Sequence, residues 1–538
     1  MLDRRLFLAT AAKAAAGASL LGTPLVVGVD ASATELSPKL VYNVKDYGAT
    51  GSKQDNARPA LQQAIDACGK AGGGTVYVPP GEYTSGQLHL CSGVRLYLEA
   101  GSTLFASLDG RQFDSPPKSS LIIAEDAHDI ALEGRGTIDG QASHEWRLNN
   151  FTDYYILPNQ RQMEATGKPL LRPFPSGFPK ETVFPHLVLL LRCQDVKISG
   201  LKFLRSRSWT INMYACRRIV VDGVYVYSSA KEGVWADGID PDGCQDLRIA
   251  NSTVETGDDA IVFWSSGIWG PALPTENVTV TNCRLSSASS ALKFCDGNSN
   301  AIRRVTIDNV VITNSNRGLA FMVFEGGIVE DVMISNLSIE TRRFDWFWWG
   351  DGDPFHFNIK RRSELDGIKR EHEPPAGKVR NVSICNVIAH GSGTSGINGH
   401  PDSWLEDIHL ENVRLFVSHD PAAPYESTRA AIALRQARNF VMKDVEVRWE
   451  PPPAETWRSV LTAADVEGLR LDSVDLEAAP QSTAPVIELT NASKVILQSS
   501  HAATIHLAGK ETRDVRLLET DSAISADSDV SKEAVIQR

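Results

Sequence analysis

The fold is decided by one short pattern, which the stretch Val278–Cys283 shows as Val-Thr-Val-Thr-Asn-Cys. Apolar and polar residues alternate, an Asn, Gly or Asp follows, and an apolar residue comes soon after. Alternation with a period of two indicates a β-strand. Asn and Gly suit a bend because they tolerate left-handed backbone angles. The pattern therefore predicts two strands that are joined by a tight bend.

The same pattern recurs along the chain. The residue at the bend is Gly200, Gly223, Asn251, Asn282, Asn309, Asn336, Asn386, Asn412, Asp444 and Ser473. Successive bends are 23, 28, 31, 27, 27, 50, 26, 32 and 29 residues apart, without helical periodicity between them. One coil per repeat indicates a stacked solenoid, whereas a β-propeller needs four strands in each longer unit. We predict an all-β protein, a right-handed parallel β-helix.

The first repeat is preceded by a different signal. Asp55 and Asn56 can cap a helix over about 58–69, and three consecutive glycines, residues 72–74, end it. A strand follows at Thr75–Pro79. We expect this short N-terminal helix to cover the end of the solenoid, since solenoid ends need a cover. The glycines follow a helix and precede a strand, which is the reverse of the order in a phosphate-binding loop.

Four segments organise the chain. Residues 1–33 resemble a twin-arginine export signal, with Arg4 and Arg5 before an apolar stretch, so we expect a bacterial protein exported to the periplasm or beyond. Residues 34–510 form a single β-helix domain with loop insertions near 146–185 and 341–377, and residues 511–538 form a polar C-terminal tail that we expect to be irregular or disordered. No later segment is apolar for the ~20 residues that span a bilayer, so we expect no stable membrane insertion after signal removal.

Charge and cysteine content exclude several classes of protein. The net charge of -12 argues against a nucleic-acid partner, which needs a basic surface. The eight cysteines contain no C-x-x-C pair, which argues against a zinc site. Twin-arginine substrates fold in a reducing compartment, which favours buried, unpaired thiols, although an even number of cysteines in an exported protein also allows disulfides. We expect a monomer.

Three aspartates form the candidate catalytic cluster. Asp237 lies in Trp235–Pro241, and Asp258 and Asp259 follow about one coil later. A shift of one coil places both segments on one face, about one strand spacing apart. Crowded carboxylates split their pKa values, so one is protonated while another is ionised, as acid/base cleavage of a glycosidic bond requires. The alternative is that these aspartates are turn residues.

These motifs resemble those of glycoside hydrolase family 28, the polygalacturonases and their relatives. The resemblance covers roughly Val41 to Val474 and rests on Asp46–Ala49, Gly136–Gly140, Trp209, Trp235–Gly238 and Gly257–Asp259. It implies a right-handed β-helix that hydrolyses a pectin-type polysaccharide with inversion and without metal or cofactor. It also implies that Asp258 is the general acid, and that Asp237 and Asp259 hold and activate water.

Two basic motifs of that family are missing. Its G-H-G falls near Ser289–Ala291, and its R-I-K falls at Ala320–Met322. In the family these bases hold the galacturonate carboxylate beside the cleaved bond, so plain polygalacturonate is expected to be a poor substrate. Rhamnogalacturonan or another decorated galacturonan is the alternative.

Other residues are candidates for substrate binding. Lys293 lies between Leu292 and Phe294 and points outward if these two point inward, either to replace the lost charge or as a solvated lysine. Arg342 and Trp349 in the second insertion suit a carboxylate and a sugar ring, with a core plug as the alternative for the aromatic residues. Trp235, beside Asp237, is a further candidate.

Two other functions share this architecture. A pectate lyase needs Ca²⁺ held by carboxylates and a strong base, and a chelator separates it from a hydrolase. A β-helix that only binds polysaccharide is conceivable without the basic motifs, but a binder of anionic sugar gains nothing from three clustered aspartates.

Overall fold

The part of the chain that the structure describes is a right-handed parallel β-helix. The computed structural model describes residues 40–142, 185–230, 233, 235–344, 350–366, 371–421, 423 and 428–537. All pairings between its strands are parallel, apart from one isolated antiparallel bridge, so the predicted fold class is confirmed. Among these residues no helix has the length and apolar character needed to cross a bilayer.

The helical segments are few. They are α1 (Arg58–Lys70), α2 (Arg362–Asp366) and three short 3₁₀ segments at Val44–Tyr47, Gly110–Gln112 and Lys532–Ala534.

The strands follow one another around the coils. The first half contains β1 (Val41–Asn43), β2 (Gly74–Val78), β3 (Gly81–Ser85), β4 (Leu88–His89), β5 (Val94–Leu98), β6 (Ser102–Ala106), β7 (Ser120–Glu125), β8 (His128–Gly134), β9 (Thr137–Asp139), β10 (His186–Leu191), β11 (Gln194–Ser199), β12 (Lys202–Leu204), β13 (Ile211–Tyr214), β14 (Arg217–Asp222), β15 (Tyr225–Tyr227), β16 (Ile239–Asp242), β17 (Gln245–Ala250), β18 (Thr253–Thr256) and β19 (Ile261–Phe263). The second half contains β20 (Thr275–Ser287), β21 (Ser290–Phe294), β22 (Ala301–Ser315), β23 (Arg317–Val323), β24 (Ile328–Thr341), β25 (Asp353–Ile359), β26 (Lys378–Gly391), β27 (Ser395–Asn398), β28 (Leu405–Val417), β29 (Ile432–Trp449), β30 (Leu461–Glu467), β31 (Arg470–Asp472), β32 (Asp475–Leu476), β33 (Ile487–Gln498), β34 (His501–Ala502), β35 (Thr504–Ala508), β36 (Arg513–Leu518), β37 (Ala523–Ala526) and β38 (Val535–Gln537).

The pairings divide these strands among three parallel sheets. The first sheet runs β4, β7, β10, β13, β16, β19, β21, β23, β25 and β27 and continues through the start of β29. The second runs from β1 through β2, β5, β8, β11, β14 and β17 into β20. The third runs from β3 through β6, β9, β12, β15 and β18 into the far end of β20. Each coil therefore contributes a strand to each sheet, and long strands such as β20 belong to two.

The space between the sheets is filled by the apolar residues of the alternation. On the first sheet this gives a stack of four rings, Phe263, Phe294, Phe321 and Phe357, whose successive centroids are 5.1, 4.3 and 4.2 Å apart. Neighbouring strands lie about 4.8 Å apart, so residues at the same position of successive coils necessarily stack.

The bends have the predicted conformation. All ten residues at the bends have positive φ, from 51° at Asn412 to 73° at Gly200. Asparagine side chains at successive bends also bond to one another, as in Asn309 Nδ2 to Asn282 Oδ1 at 2.6 Å and Asn412 Nδ2 to Asn386 Oδ1 at 2.9 Å. The bend asparagines therefore provide both the left-handed backbone and a ladder of hydrogen bonds between coils.

The N-terminal helix lies where it was expected. Helix α1 buries Leu61, Ile65 and Cys68 against the first coils. Its N-cap is Ala57, which makes no side-chain cap bond, while the Asn56 amide oxygen accepts from Arg58 N at 3.1 Å.

Two boundary predictions are wrong. The C-terminal segment from residue 511 is not irregular, because β36, β37 and β38 pair in register with the preceding coils and bury Val515 and Leu517. Its polar residues point outward, which hides the repeat in the composition. Likewise, the insertion 341–377 is not all loop, since β25 within it completes the first sheet between β23 and β27.

Other predictions meet the structure unevenly. All eight cysteines are unpaired, which confirms the interpretation as free thiols. The export signal at 1–33 and nearly all of the insertion 146–185 lie outside the described residues.

Candidate active site

The structure brings the three predicted aspartates together. Asp237 and Asp259 each stand two residues before an inward-facing isoleucine of the first sheet, Ile239 and Ile261, and these isoleucines are partners. Asp259 N donates to Asp237 Oδ1 at 3.2 Å. One carboxylate oxygen from each of Asp237, Asp258 and Asp259 lies within 4.8 Å of the others.

Asp258 is the member of the cluster that a substrate can reach. It is half-buried, and its backbone oxygen accepts bonds from Thr256 Oγ1 and Ser287 Oγ, both at 2.6 Å. Burial, and next the negative charge of Asp259, raise the pKa of Asp258 to about 8, against a smaller opposing effect of Lys293. At neutral pH this carboxyl group therefore holds a proton that it can donate.

Asp259 is held through both of its oxygens. Oδ1 accepts from Ser290 N at 2.9 Å, and Oδ2 accepts from Lys293 Nζ at 2.8 Å. The carboxylate is buried, with 4% of its side chain exposed, and the lysine has 13% exposed. A buried charge is tolerated when it is paired and hydrogen-bonded in this way, so Asp259 is suited to remain ionised.

Lys293 belongs to a longer chain of charges. Its ammonium lies 3.6 Å from Asp296, and Asp296 pairs with Arg362 at 3.0 Å. Arg362 also pairs with Glu325 at 2.7 Å. Burial alone would lower the pKa of Lys293, but Asp259 and Asp296 outweigh it and hold that pKa well above its usual value. Sequence reasoning found Lys293 but missed Asp296 and Arg362, since nothing near Arg362 in the chain points to a site.

A fourth buried carboxyl group lies beside the cluster. Asp240 is fully buried and its Oδ1 accepts from Trp264 Nε1 at 3.3 Å, while its Oδ2 has no hydrogen-bond partner among the described residues. Burial, together with the charges of Asp258 and Asp259, raises the pKa of Asp240 well above normal. The pKa of Asp237 is raised by burial first and then by the charge of Asp240. Asp240 stands within the quoted motif, so its spacing from Asp237 was the available signal.

Aromatic residues flank the cluster on the N-terminal side. The rings of Trp209 and Trp264 are 5.4 Å apart, and Trp209 stacks on His186 at 5.5 Å. Burial lowers the pKa of His186 to about 4, so this imidazole is neutral at pH 7. Trp235 is half-buried in the turn that leads to Asp237.

The coil that lost the family's bases contains another cation. Ala320 and Met322 are buried, and the Arg317 guanidinium lies 4.0 Å from the Met322 sulfur. Arg317 is 3% exposed, and within the described residues its Nε has no hydrogen-bond partner. It stands in register with Ser290, one coil beyond Asp259. Sequence reasoning missed it.

Arg342 is not brought to the aspartates. It is exposed, donates from Nε to Asn314 Oδ1 at 2.5 Å, and lies over the Phe344 ring at 4.1 Å. The preceding residue, Thr341, stands three strands beyond Thr256, about 14 Å along the third sheet. Trp349 lies outside the described residues.

The cluster also has the spacing of a metal site. The three aspartates could each give one oxygen to a divalent cation. Ca²⁺ takes six to eight oxygen ligands, whereas Asp259 already uses both oxygens on Ser290 and Lys293. The ammonium of Lys293 therefore occupies the place of a cation beside Asp259.

Comparisons with known proteins agree with this geometry. A family model described as glycosyl hydrolases family 28 matches residues 178–341, and one described as rhamnogalacturonase A/epimerase, pectate lyase-like, matches residues 41–101. The chain is 26% identical to a probable polygalacturonase of Vitis vinifera over 64% of this chain and 73% of that protein. It is 26% identical to an exopolygalacturonase of Zea mays over 48% of this chain, and it spans about half of that protein, 55%.

A solved structure shares the fold. The exopolygalacturonase of Thermotoga maritima superposes with a TM-score of 0.60 and 22% identity, over 76% of this chain and 92% of that one. The arrangement of coils is therefore common to both proteins.

Proposed function

We propose, from the premise that this chain belongs to glycosyl hydrolases family 28, that it hydrolyses glycosidic bonds in a pectin-type polysaccharide. The observation that carries the proposal is the pairing of unlike carboxyl groups. Asp258 is protonated up to about pH 8, and Asp259 beside it is held by Lys293 and Ser290. Acid/base cleavage requires this division between a proton donor and an ionised base.

The reaction assigns one role to each aspartate. Asp258 donates its proton to the glycosidic oxygen as the bond from that oxygen to the anomeric carbon breaks. Asp259 accepts a proton from the water that attacks the anomeric carbon, and Asp237 holds this water. One water is consumed, and the proton passes from Asp259 back to Asp258 through solvent. We propose inversion at the anomeric carbon, as the family resemblance implies.

The spacing of the carboxyl groups makes the stereochemistry worth measuring. Inverting glycosidases generally hold their two carboxyl groups ~6.5–9.5 Å apart and retaining ones ~5 Å apart, whereas oxygens of this cluster lie within 4.8 Å. A retaining nucleophile must have a free oxygen, and both oxygens of Asp259 are occupied. NMR of the first-formed anomer decides, since retention would remove the proposed role of Asp259.

The substrate is proposed to be a decorated galacturonan or a rhamnogalacturonan. Similarity to the Vitis vinifera protein supports a galacturonan backbone. Ala320 and Met322 replace the family's bases, and Lys293 is already engaged by Asp259 and Asp296. A galacturonate carboxylate at the cleaved bond would therefore lack a free cation there, and an unpaired buried charge costs several kcal/mol. Plain polygalacturonate is expected to be a poor substrate.

The test is a panel of pectic oligosaccharides whose products are identified by mass spectrometry. Cleavage of a decorated or rhamnose-containing oligomer, with much slower cleavage of plain polygalacturonate, is the expected result. Absence of hydrolytic product from every member, or an unsaturated product from a lyase reaction, would contradict the proposal. We further propose that the protein is exported as a monomer, because residues 1–33 resemble a twin-arginine signal.

A further inference from the structure

A second polar cavity lies on the same face of the first sheet as the aspartates. It has a volume of about 620 Å³, within the ~300–1,000 Å³ of ligand pockets. We call it the distal pocket and define it by its lining residues His356, Asn358, Lys360, Glu364, Gly396, Asn398, His400, Ala433 and Arg435, with Asp351 and Asp353 at its edge.

The sheet itself forms the floor of this pocket. His356, Gly396 and Ala433 are partners on the adjacent strands β25, β27 and β29. A Cβ added to Gly396 would meet only Asn398 Nδ2, at 3.1 Å, so the space above this glycine is open. Small residues at Gly396 and Ala433 therefore make a depression beside the taller imidazole of His356.

The acids of the pocket are already neutralised within the protein. Asp353 pairs with His356 at 2.7 Å, and Glu364 pairs with His400 at 3.0 Å. His400 Nδ1 accepts from Asp402 N at 3.0 Å, so its Nε2 carries the hydrogen that Glu364 receives. Asp351 lies 3.7 Å from Arg343.

The cations of the pocket are free. Lys360 and Arg435 have no carboxylate within 4.0 Å among the residues that the structure describes, and the amides of Asn358 and Asn398 have no partner there either. Asn358, Asn398 and Arg435 stand in one row across three strands, and Lys360 follows two residues after Asn358. Two unpaired cations beside free amides, in a chain of net charge -12, form a local attraction for an anion.

The position of the pocket relates it to the proposed reaction. From β19, which follows Asp259, to β27 there are four strand steps, or about 19 Å. An oligosaccharide of several units that lies along the sheet from Asp258 reaches this distance. The pocket and the aspartates therefore face one groove.

We propose that the distal pocket binds a uronate residue of the polysaccharide that is cleaved at Asp258, with its carboxylate at Lys360 and Arg435. This inference rests on the proposed function. Arg435 offers a fork of donors to the carboxylate, and Asn358 and Asn398 offer amides to the hydroxyl groups. His356 donates from Nδ1 to Asp353, so its Nε2, which has no partner among the described residues, accepts from a further hydroxyl. The enzyme thus recognises uronate away from the cleaved bond, where the family's bases are lost.

The test measures binding separately from cleavage. Galacturonate oligomers of increasing length are titrated calorimetrically into the full-length Asp258→Asn variant, with and without Lys360→Met and Arg435→Gln. We expect affinity to rise once the oligomer is long enough to reach the pocket. We expect the two pocket substitutions to weaken the long oligomer tenfold or more and to leave the short ones unchanged.

A matched control makes the same charge change elsewhere. Lys202 and Arg414 are exposed on the third sheet, so Lys202→Met with Arg414→Gln should leave binding of the long oligomer unchanged. Equal affinity of the pocket variant and its parent overturns the proposal, as does equally tight binding of a neutral oligosaccharide of the same length. If the unsubstituted enzyme cleaves its substrate without any dependence on Lys360 and Arg435, only the pocket assignment fails. If uronate binds at the pocket but nothing is cleaved, only the proposed hydrolysis fails.

Discussion

Replacement of Lys293 by methionine tests the electrostatics of the site most directly. Met removes the ammonium that lies 2.8 Å from Asp259 Oδ2 and keeps most of the aliphatic volume. We predict that kcat falls by about 10²–10³ on every substrate that the enzyme cleaves, whether or not the sugar at the cleaved bond is charged. Sequence reasoning expects a loss only if Lys293 binds a substrate carboxylate, but its contact with Asp259 makes the lysine part of the acid/base apparatus.

The magnitude follows from the geometry. Two unit charges 2.8 Å apart attract by about 6 kcal/mol at an effective dielectric constant of about 20. Removing one partner of a buried pair generally costs about 3–5 kcal/mol, since the other charge is left without compensation. Each 1.4 kcal/mol in the barrier is a factor of ten in rate. A loss of 10²–10³ assigns about 3–4 kcal/mol of this cost to the transition state.

The pH profile separates this mechanism from simple loss of packing. Asp258 acts while protonated, so kcat is full below its pKa of about 8 and falls as pH rises through that value. The positive charge of Lys293 lowers this pKa. Without it the pKa of Asp258 rises, and the alkaline limb of the profile moves to higher pH. Lys293→Arg is the control, because it keeps the charge and should keep the limb in place.

The assay is kcat against pH for the parent and both variants, with folding checked by thermal unfolding. A folded Lys293→Met enzyme with kcat within threefold of the parent and an unmoved alkaline limb would refute the assignment of Lys293 to Asp259.

Three further predictions concern catalysis, metal and stability. Asp258→Asn should lower kcat by ~10²–10⁴ while the melting temperature is retained, and near-normal turnover would remove Asp258 as the acid. Exhaustive chelation should leave activity unchanged, because Lys293 supplies the cation beside Asp259, whereas a loss that Ca²⁺ restores would indicate a lyase. Phe321→Ala should lower the free energy of unfolding by about 3–5 kcal/mol, since it opens the ring stack between Phe294 and Phe357; chemical denaturation checks this against Val311→Ala, an exposed control expected to change by less than about 0.5 kcal/mol.

Local chemistry explains why the fold was predictable. The bends at Asn251, Asn282 and Asn309 adopt positive φ, a preference that resides in the residue type itself. Strand alternation is also local, so both can be read from neighbouring residues. The errors arose where this signal weakens. In β25 and β36 the pattern is short or interrupted, and their place in the sheets depends on neighbours such as β23 and β33.

Part of the site was predictable for the same reason. Asp237 and Asp259 are 22 residues apart, close to one coil, so a repeat that stacks must place them side by side. Lys293 follows the same rule, since Leu292 and Phe294 point inward and leave it on the groove face. Periodicity thus carried these residues from sequence to space.

The sequence by itself determined the β-helix, its bends and the one cluster of aspartates, because each follows from a pattern that repeats with every coil. Only the tertiary structure decided which charges meet. Arg362 reaches Asp296 across 66 residues, and the free cations Lys360 and Arg435 come together from different coils. Such contacts depend on the paths of irregular segments between the strands, and no local preference of these residues encodes them.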